Sequence, residues 1–389
     1  MSLVLKKLSD FCKTSSGGTP SRSTPEFFEN GNIPWIKSGE LKNRYVTEVE
    51  EKITQLAVNS SSAKIVPKGA LLIAMYGATV GEVSQLLFDA TTNQAVCSII
   101  PDDSLCDVNY LYRYLQAQKD NLLNLRVGGG QPNISQGIIK DLIVPLPPLE
   151  EQRRIASILD KADDIRQKRQ QAIAKLDELL QATFIDMFGD PIKNEKGWPI
   201  GTIGDMLESV KYGSSDKAEL EGDVPILRMN NITYSGEMNL KDLKYIKQEQ
   251  ADEKYLVRQG DILFNRTNSK ELVGKTAVYY GPEPMAYAGY LVRGRTLPEH
   301  VPEYISGFLN SSWGKSTLQS MCKSIIGMAN INAKEFQSIS LPIPPRELQL
   351  QFKKKVYAIR EHKLKLEMQL HQYDELFNAL QQKAFNGTL

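Results

Sequence analysis

Residues able to do chemistry are few in this 389-residue chain, and their spacing argues against most of it. Gly274-Lys275-Thr276 and Gly314-Lys315-Ser316 both end as a phosphate-binding loop ends. The first glycine of such a loop is missing each time, because Ser269 and Leu309 hold its place. Glu50-Glu51-Lys52 resembles part of a nuclease carboxylate–lysine set, yet no partner aspartate sits in a matching strand context. Of three histidines, His362 and His371 lie nine apart, on opposite faces of one helix, which argues against a zinc site. Histidine this scarce also argues against a Ser/His or Cys/His nucleophile pair. The four cysteines, Cys12, Cys97, Cys106 and Cys322, form no Cys-x-x-Cys pair, as expected of reduced thiols in a cytosol. No Gly-x-Gly-x-x-Gly run follows a strand. The expectation is a chain that catalyses nothing and holds no cofactor and no metal. What remains is recognition: a small-residue loop with one cation, Ser15 to Arg22, and a loop at 127–132 whose glycines let a ligand come close.

These loops join apolar runs bounded by Gly and Pro. Runs at 33–36, 70–75, 82–88, 95–100 and 142–146 predict short strands, and 110–123 predicts a helix. The scheme then returns. Residues 130–152 read GQPNISQGIIKDLIVPLPPLEEQ, and 197 positions on, 327–349 read GMANINAKEFQSISLPIPPRELQ. The glycine, the Asn-Ile, three prolines, a glutamate and the final glutamine coincide. Further down, Asp177-Glu178-Leu179 meets Asp374-Glu375-Leu376 and Phe188 meets Phe385. Val224-Pro225-Ile226-Leu227-Arg228 echoes Ile33-Pro34-Trp35-Ile36-Lys37, and Gly260 to Phe264 echoes Gly69 to Ile73, at an offset drifting from 191 to 197. The chain is one unit, duplicated and diverged, with insertions confined to loops.

After Pro147-Pro148, prolines suited to a helix's first turn, a mostly apolar series of positions recurs at 4-3 spacing. They are Ile155, Leu159, Ala162, Arg166, Arg169, Ile173, Leu176, Leu180, Thr183 and Met187. The second copy gives Phe352, Val356, Ile359, Lys363, Leu366, Leu370, Tyr373, Phe377, Leu380 and Ala384. A 3.5-residue repeat over about five heptads predicts two coiled-coil helices, with Arg166, Arg169 and Lys363 as polar seam residues that set register. The shared offset keeps both helices in phase, as pairing requires.

Net charge is +1, and no segment strays far from neutral: the most basic, 345–389, has eight cations against five anions. A stand-alone nucleic-acid binder normally shows a basic domain, so phosphate neutralisation here would come from partners or local clusters. No run approaches the roughly 18 apolar residues of a membrane span. The N-terminus carries no signal-peptide pattern, so a cytoplasmic chain without membrane partners is expected.

The run Gln131-Pro132-Asn133-Ile134-Ser135, then Val144-Pro145-Leu146-Pro147-Pro148-Leu149-Glu150-Glu151-Gln152-Arg153-Arg154-Ile155 entering a long helix, resembles the specificity subunit of Type I restriction–modification systems. Gly17-Gly18-Thr19-Pro20-Ser21 and Ile33-Pro34-Trp35 add to the likeness, which covers the whole chain. The second copy departs at Met328-Ala329, Arg346 and Leu350-Gln351. The resemblance implies an α+β fold of two similar globular α/β target recognition domains, 1–148 and 191–344. Two long antiparallel helices, 149–190 and 345–389, would separate them as a coiled-coil spacer with pseudo-twofold symmetry. It further implies a non-catalytic subunit whose two domains each read half of a bipartite, asymmetric double-stranded DNA site. Two adenine-methylating subunits would dock on it, and two restriction/translocase subunits could join them.

Base readers are then expected among polar residues in loops between strands. In the first domain these are Thr19, Ser21, Arg22, Lys37, Ser38, Tyr76, Thr79, Asn93, Gln94 and Gln131. In the second they are Tyr212, Ser214, Ser215, Lys217, Arg228, Asn230, Asn265, Arg266, Thr267, Asn268, Tyr290 and Arg293. Arginine can grip guanine O6/N7, Asn and Gln can grip adenine N6/N7, and threonine methyls can meet thymine. Asn265-Arg266-Thr267-Asn268 is the densest cluster; Asn93-Gln94 also suits a plain turn. A stand-alone DNA-binding regulator and a coiled-coil scaffold with protein-binding ends are the alternative functions.

Overall fold

The structure, a computed structural model, describes residues 4–125, 133–325 and 328–389. It divides into two compact units. One is Met1–Lys168 with Leu370–Leu389, the other Arg169–Gln369, so each unit holds a globular head together with part of both long helices.

In the first unit the strands Cys12–Ser16, Val96–Pro101, Leu71–Ala74, Val83–Leu86 and Tyr45–Val46 form one sheet in that order. Lys52–Ile53, Ile33–Ile36 and Thr91–Thr92 form a second. The central strand reads as a continuous apolar run because both its faces are buried. Leu71 and Ile73 pack with Leu111 and Leu115 of the helix Val108–Ala117. Leu72 and Ala74 pack with Ile36, Val66 and Leu86. The helix expected over 110–123 is two helices, Val108–Ala117 and Lys119–Asn124, with a break at Gln118 (ψ 0°).

The second unit repeats this plan. Leu207–Tyr212, Leu291–Thr296, Ile262–Asn265 and Thr276–Val278 make one sheet. Lys244–Ile246, Val224–Leu227, Met285–Tyr287 and Leu256–Val257 make the other. Ile33–Ile36 runs parallel to Thr91–Thr92, and Val224–Leu227 runs parallel to Met285–Tyr287. Gly69 and Gly260, both at φ +91°, make the tight turn into each central strand, a left-handed conformation suited to glycine.

The duplicated Pro-Pro-x-x-x-Gln has a structural cause. Gln152 and Gln349 are fully buried at the start of the long helices, Leu149–Phe188 (40 residues) and Arg346–Asn386 (41 residues). The Gln152 side-chain amide donates to the Pro147 carbonyl (2.8 Å), and its oxygen accepts from the Asp107 N–H (2.8 Å), at the start of the head's own helix. Gln349 donates to the Pro344 carbonyl (2.8 Å) and accepts from the Val301 N–H (3.0 Å). The hydroxyls of Tyr110 and Tyr304 complete each junction by donating to the carbonyls of Pro145 and Pro342.

The polarity of the two head–helix junctions is opposite. In the first unit Arg113, 1% exposed, reaches Asp160 (2.7 Å) and Asp163 (2.9 Å) on the long helix, and Arg44 joins it on Asp160 (2.8 Å). In the second unit the head supplies the buried acid Glu303, met by Lys353 (3.5 Å), while Arg360 lies over the Tyr280 ring (3.9 Å). Gly307 takes the place of Arg113; a Cβ there would already stand 2.8 Å from the Phe184 ring.

Every expected seam position of both helices is buried or half-buried. Within the first unit Ile155 and Leu159 share a core with Phe377 and Ala384. Arg154 donates to the Leu389 carbonyl and Arg166 pairs with Asp374 (2.7 Å), so the segments run antiparallel. Within the second unit Phe184 packs edge-on against Phe352 and Lys363 pairs with Asp177 (2.5 Å), also antiparallel. The two ion pairs are copies: 166 and 363, and 177 and 374, are each 197 apart. Removing one partner of a buried pair leaves a bare charge, whereas replacing both by apolar groups does not. Lys363 is 8% exposed. Asp177 is 34% exposed and Lys363 also meets Glu237 (3.4 Å), so Asp177→Asn is expected to cost about 1.5 kcal/mol in denaturant unfolding, with Asp177→Leu/Lys363→Met recovering part of it.

Candidate nucleic-acid interface

In each head, five loop segments are tied together by main-chain hydrogen bonds at one end of the sheets. In the first, Gly18 N–H donates to the Thr92 carbonyl (2.9 Å), Asn93 to Ile36 (2.8 Å), Met75 to Ala95 (2.8 Å) and Ile134 to Met75 (2.9 Å). In the second, Ser214 donates to Tyr287 (2.8 Å), Ala288 to Leu227 (2.9 Å), Arg266 to Tyr290 (3.0 Å) and Ile331 to Arg266 (2.9 Å). The repeated Asn-Ile thus fastens its loop to the end of the central strand: Tyr76 bridges Asn133, and Thr267 pairs with Asn330. Gly17 and Gly213 allow the crossing at the first loop. A Cβ would lie 2.1 Å from the Thr92 oxygen and 2.2 Å from the Tyr287 oxygen, respectively.

Most of the expected readers stand on this platform. In the first head Thr19, Ser21, Arg22, Tyr76 and Gln94 are exposed, and Lys37, Ser38, Thr79 and Asn93 are half-buried. Arg22 lies over the rings of Phe28 (4.4 Å) and Trp35 (5.3 Å) and pairs with Glu51 (2.6 Å), which also binds Lys37 (3.1 Å). Thr79 donates to the Ser38 carbonyl (2.8 Å). The Asn93 side chain accepts from the Ala95 N–H (3.1 Å), the turn role open to it. Gln131 lies outside the described residues.

In the second head Tyr212, Ser215, Lys217, Asn230 and Tyr290 are exposed, and Arg228, Arg266, Thr267 and Asn268 are half-buried. The Arg266 guanidinium packs over the Tyr212 ring (5.1 Å) and donates to the Gly289 carbonyl (3.3 Å), and its Nε has no hydrogen-bond partner among the described residues. Thr267 donates to Asn330 (3.1 Å). Arg228 and Asn230 both donate to the Asp242 carboxylate (3.0 and 2.8 Å).

Three expected readers are not surface residues. Arg293 is 2% exposed; its guanidinium donates to the Leu256 carbonyl and stands over the Tyr287 ring. Asn265 is fully buried, the last residue of a strand covered on both faces, where loop and strand are hard to tell apart from composition. Ser214 is buried and donates to Asp216.

The two Gly-Lys-Thr/Ser runs have another use. Lys275 donates to the carbonyls of Met229 (2.8 Å) and Ile232 (2.5 Å), and Lys315 donates to that of Tyr234 (3.0 Å). They pin the 229–234 loop, and burial pushes both ammonium groups below the usual lysine range. Burial likewise pushes the Cys12 and Cys97 thiols up to about 12, which disfavours the nucleophilic thiolate. Among the described residues no helix is long and apolar enough to cross a membrane.

Known proteins are similar to this chain. The chain is 29% identical over 274 residues to the Type I restriction enzyme MjaIX specificity subunit of Methanocaldococcus jannaschii, a match spanning 62% of this chain and 62% of that protein. It is 21% identical over 392 residues to the Type I restriction enzyme EcoKI specificity subunit of Escherichia coli K12, covering 93% and 84%. Its fold is similar to that of a chain from a type I R-M system solved for complex assembly and conformational transition (TM-score 0.60, 16% identity, all of both chains). It is also similar to the Type-I restriction-modification system S subunit from M. genitalium (TM-score 0.56, 16% identity, 99% and 96% covered). The model of the Type I restriction modification DNA specificity domain matches residues 3–175 and again 195–372, and the chain belongs to that family.

Proposed function

We propose that this chain is the DNA sequence-recognition subunit of a Type I restriction–modification complex. The observation that carries this proposal is one loop platform, present twice, with different side chains on it. Met75-Tyr76 stands where the second head has Arg266-Thr267, Gln94-Ala95 where it has Gly289-Tyr290, and Lys37 where it has Arg228. Like scaffolds with unlike surfaces suit the reading of two unlike half-sites. In this proposal 1–148 and 191–344 are the recognition domains, and 149–190 and 345–389 are spacer helices. Helix length would set the base-pair gap between the halves, the geometric logic of dimeric DNA readers.

The chain itself is non-catalytic and takes no cofactor in this scheme. Two methyltransferase subunits dock on the helices and supply methylation together with much of the phosphate contact, which suits a near-neutral reader. Restriction/translocase subunits join that assembly, and the complex works on cytoplasmic DNA.

A gel-shift on random duplexes, with and without the methyltransferase, tests the assignment. Sequence preference that requires the methyltransferase is expected. Tight specific binding by the chain alone would make it a stand-alone regulator, and no preference in either case would favour a scaffold. Arg266→Ala is expected to relax specificity at one half-site only, by about 1–3 kcal/mol, read by sequencing methylated adenines in a host expressing the full system. Equal loss at both halves would make Arg266 a folding residue instead.

A further inference from the structure

Each head gathers two donor side chains on one acid. In the second, the Asp242 carboxylate binds Arg228 (3.0 Å) and Asn230 (2.8 Å). In the first, Glu51 binds Lys37 (3.1 Å) and Arg22 (2.6 Å), with Glu50 also on Lys37 (2.7 Å). Lys37 and Arg228 follow equivalent strands, Ile33–Ile36 and Val224–Leu227. The acids do not come from equivalent places. Ile33 pairs with Ile53 and Val224 with Ile246, but Glu51 stands two residues before the first isoleucine and Asp242 four before the second. Two different chain paths therefore deliver a carboxylate to the same cation.

Stability is a weak reason for these pairs. Asp242 is 69% and Arg228 24% exposed, and ion pairs so open to water add little. Affinity is a weaker one, since a carboxylate among candidate DNA contacts repels phosphate. What a carboxylate does supply is order: a long donor held in one geometry loses less side-chain entropy when it meets a base edge, and it is kept from settling on the nearest phosphate.

We infer that Asp242 in the second head, and Glu51 with Glu50 in the first, are positioning residues for sequence reading, restraining Arg228 with Asn230 and Lys37 with Arg22 so that they discriminate bases rather than grip backbone. This rests on the DNA-reading function proposed above. Loss of the acid then has a signature opposite to that of a damaged fold. Non-specific binding rises and discrimination falls, at one half-site only.

The test uses the full chain assembled with its methyltransferase subunits, on duplexes carrying the site found by sequencing methylated adenines and on single-base variants of each half. Asp242→Asn is expected to lower discrimination about tenfold in the half read by the second head. It should also tighten binding to unrelated duplex and steepen its salt dependence by about one charge. Asp242→Glu should restore much of the discrimination. Glu50→Gln/Glu51→Gln should do the same as Asp242→Asn in the other half. Unchanged discrimination would overturn the inference, as would weaker binding to every duplex with an earlier thermal transition. Wild-type complex without any half-site preference would instead overturn the DNA-reading function itself.

Discussion

A cation inside an apolar helix seam must find an anion on the facing helix, and that requirement settles how the two long helices meet. Lys363 finds Asp177 in one unit and Arg166 finds Asp374 in the other. Leucines and phenylalanines would tolerate a slip of one heptad, because the next apolar position is much like the last. The charged pair does not tolerate it. A slip would bring Lys363 against Gln170 or Phe184, leaving its ammonium with Glu237 (3.4 Å) as the carboxylate partner that remains among the described pairs. The pair adds little net stability and a great deal of register.

From that register the rest follows outward. Gln152 and Gln349 bind the first turn of each long helix to the N-terminus of a helix in its head. That helix packs on the central strand, the central strand ends at the loop platform, and the Asn-Ile dipeptide closes the platform. Each link is a buried polar contact or a filled core, so the loops rest on a stiff support while their side chains stay free to vary.

Much of this was legible in the residues. The duplication, the heptad phase and the two-faced central strands all follow from periodicity, which one chain displays by itself. The reason for the repeated glutamine was not, since its partners in the head lie 45 and 48 residues upstream. Nor was the burial of Arg293 and Asn265: Asn265 ends the strand Ile262–Asn265, and Arg293 lies within Leu291–Thr296, where its side chain turns inward to the Leu256 carbonyl. The acids beside Arg22 and Arg228 stayed hidden for a related reason. Cross-strand register, which composition does not reveal, decides what Glu51 and Asp242 touch, and Glu51 looked more like part of a nuclease set than a brace for its neighbours.

The opposed polarity of the two junctions bears on how such a chain can be rearranged. A first head offers arginines to an acidic stretch of helix; a second offers a glutamate to a basic one. Exchanged wholesale, the first head would set Arg113 against Arg360, and a glycine in place of Arg113 would leave Asp163 with Arg166 of its own helix as counterion and Asp160 without its buried partner. The heads are therefore not free cassettes. A crossover that brings in a foreign head must carry along the stretch of helix that answers its charge.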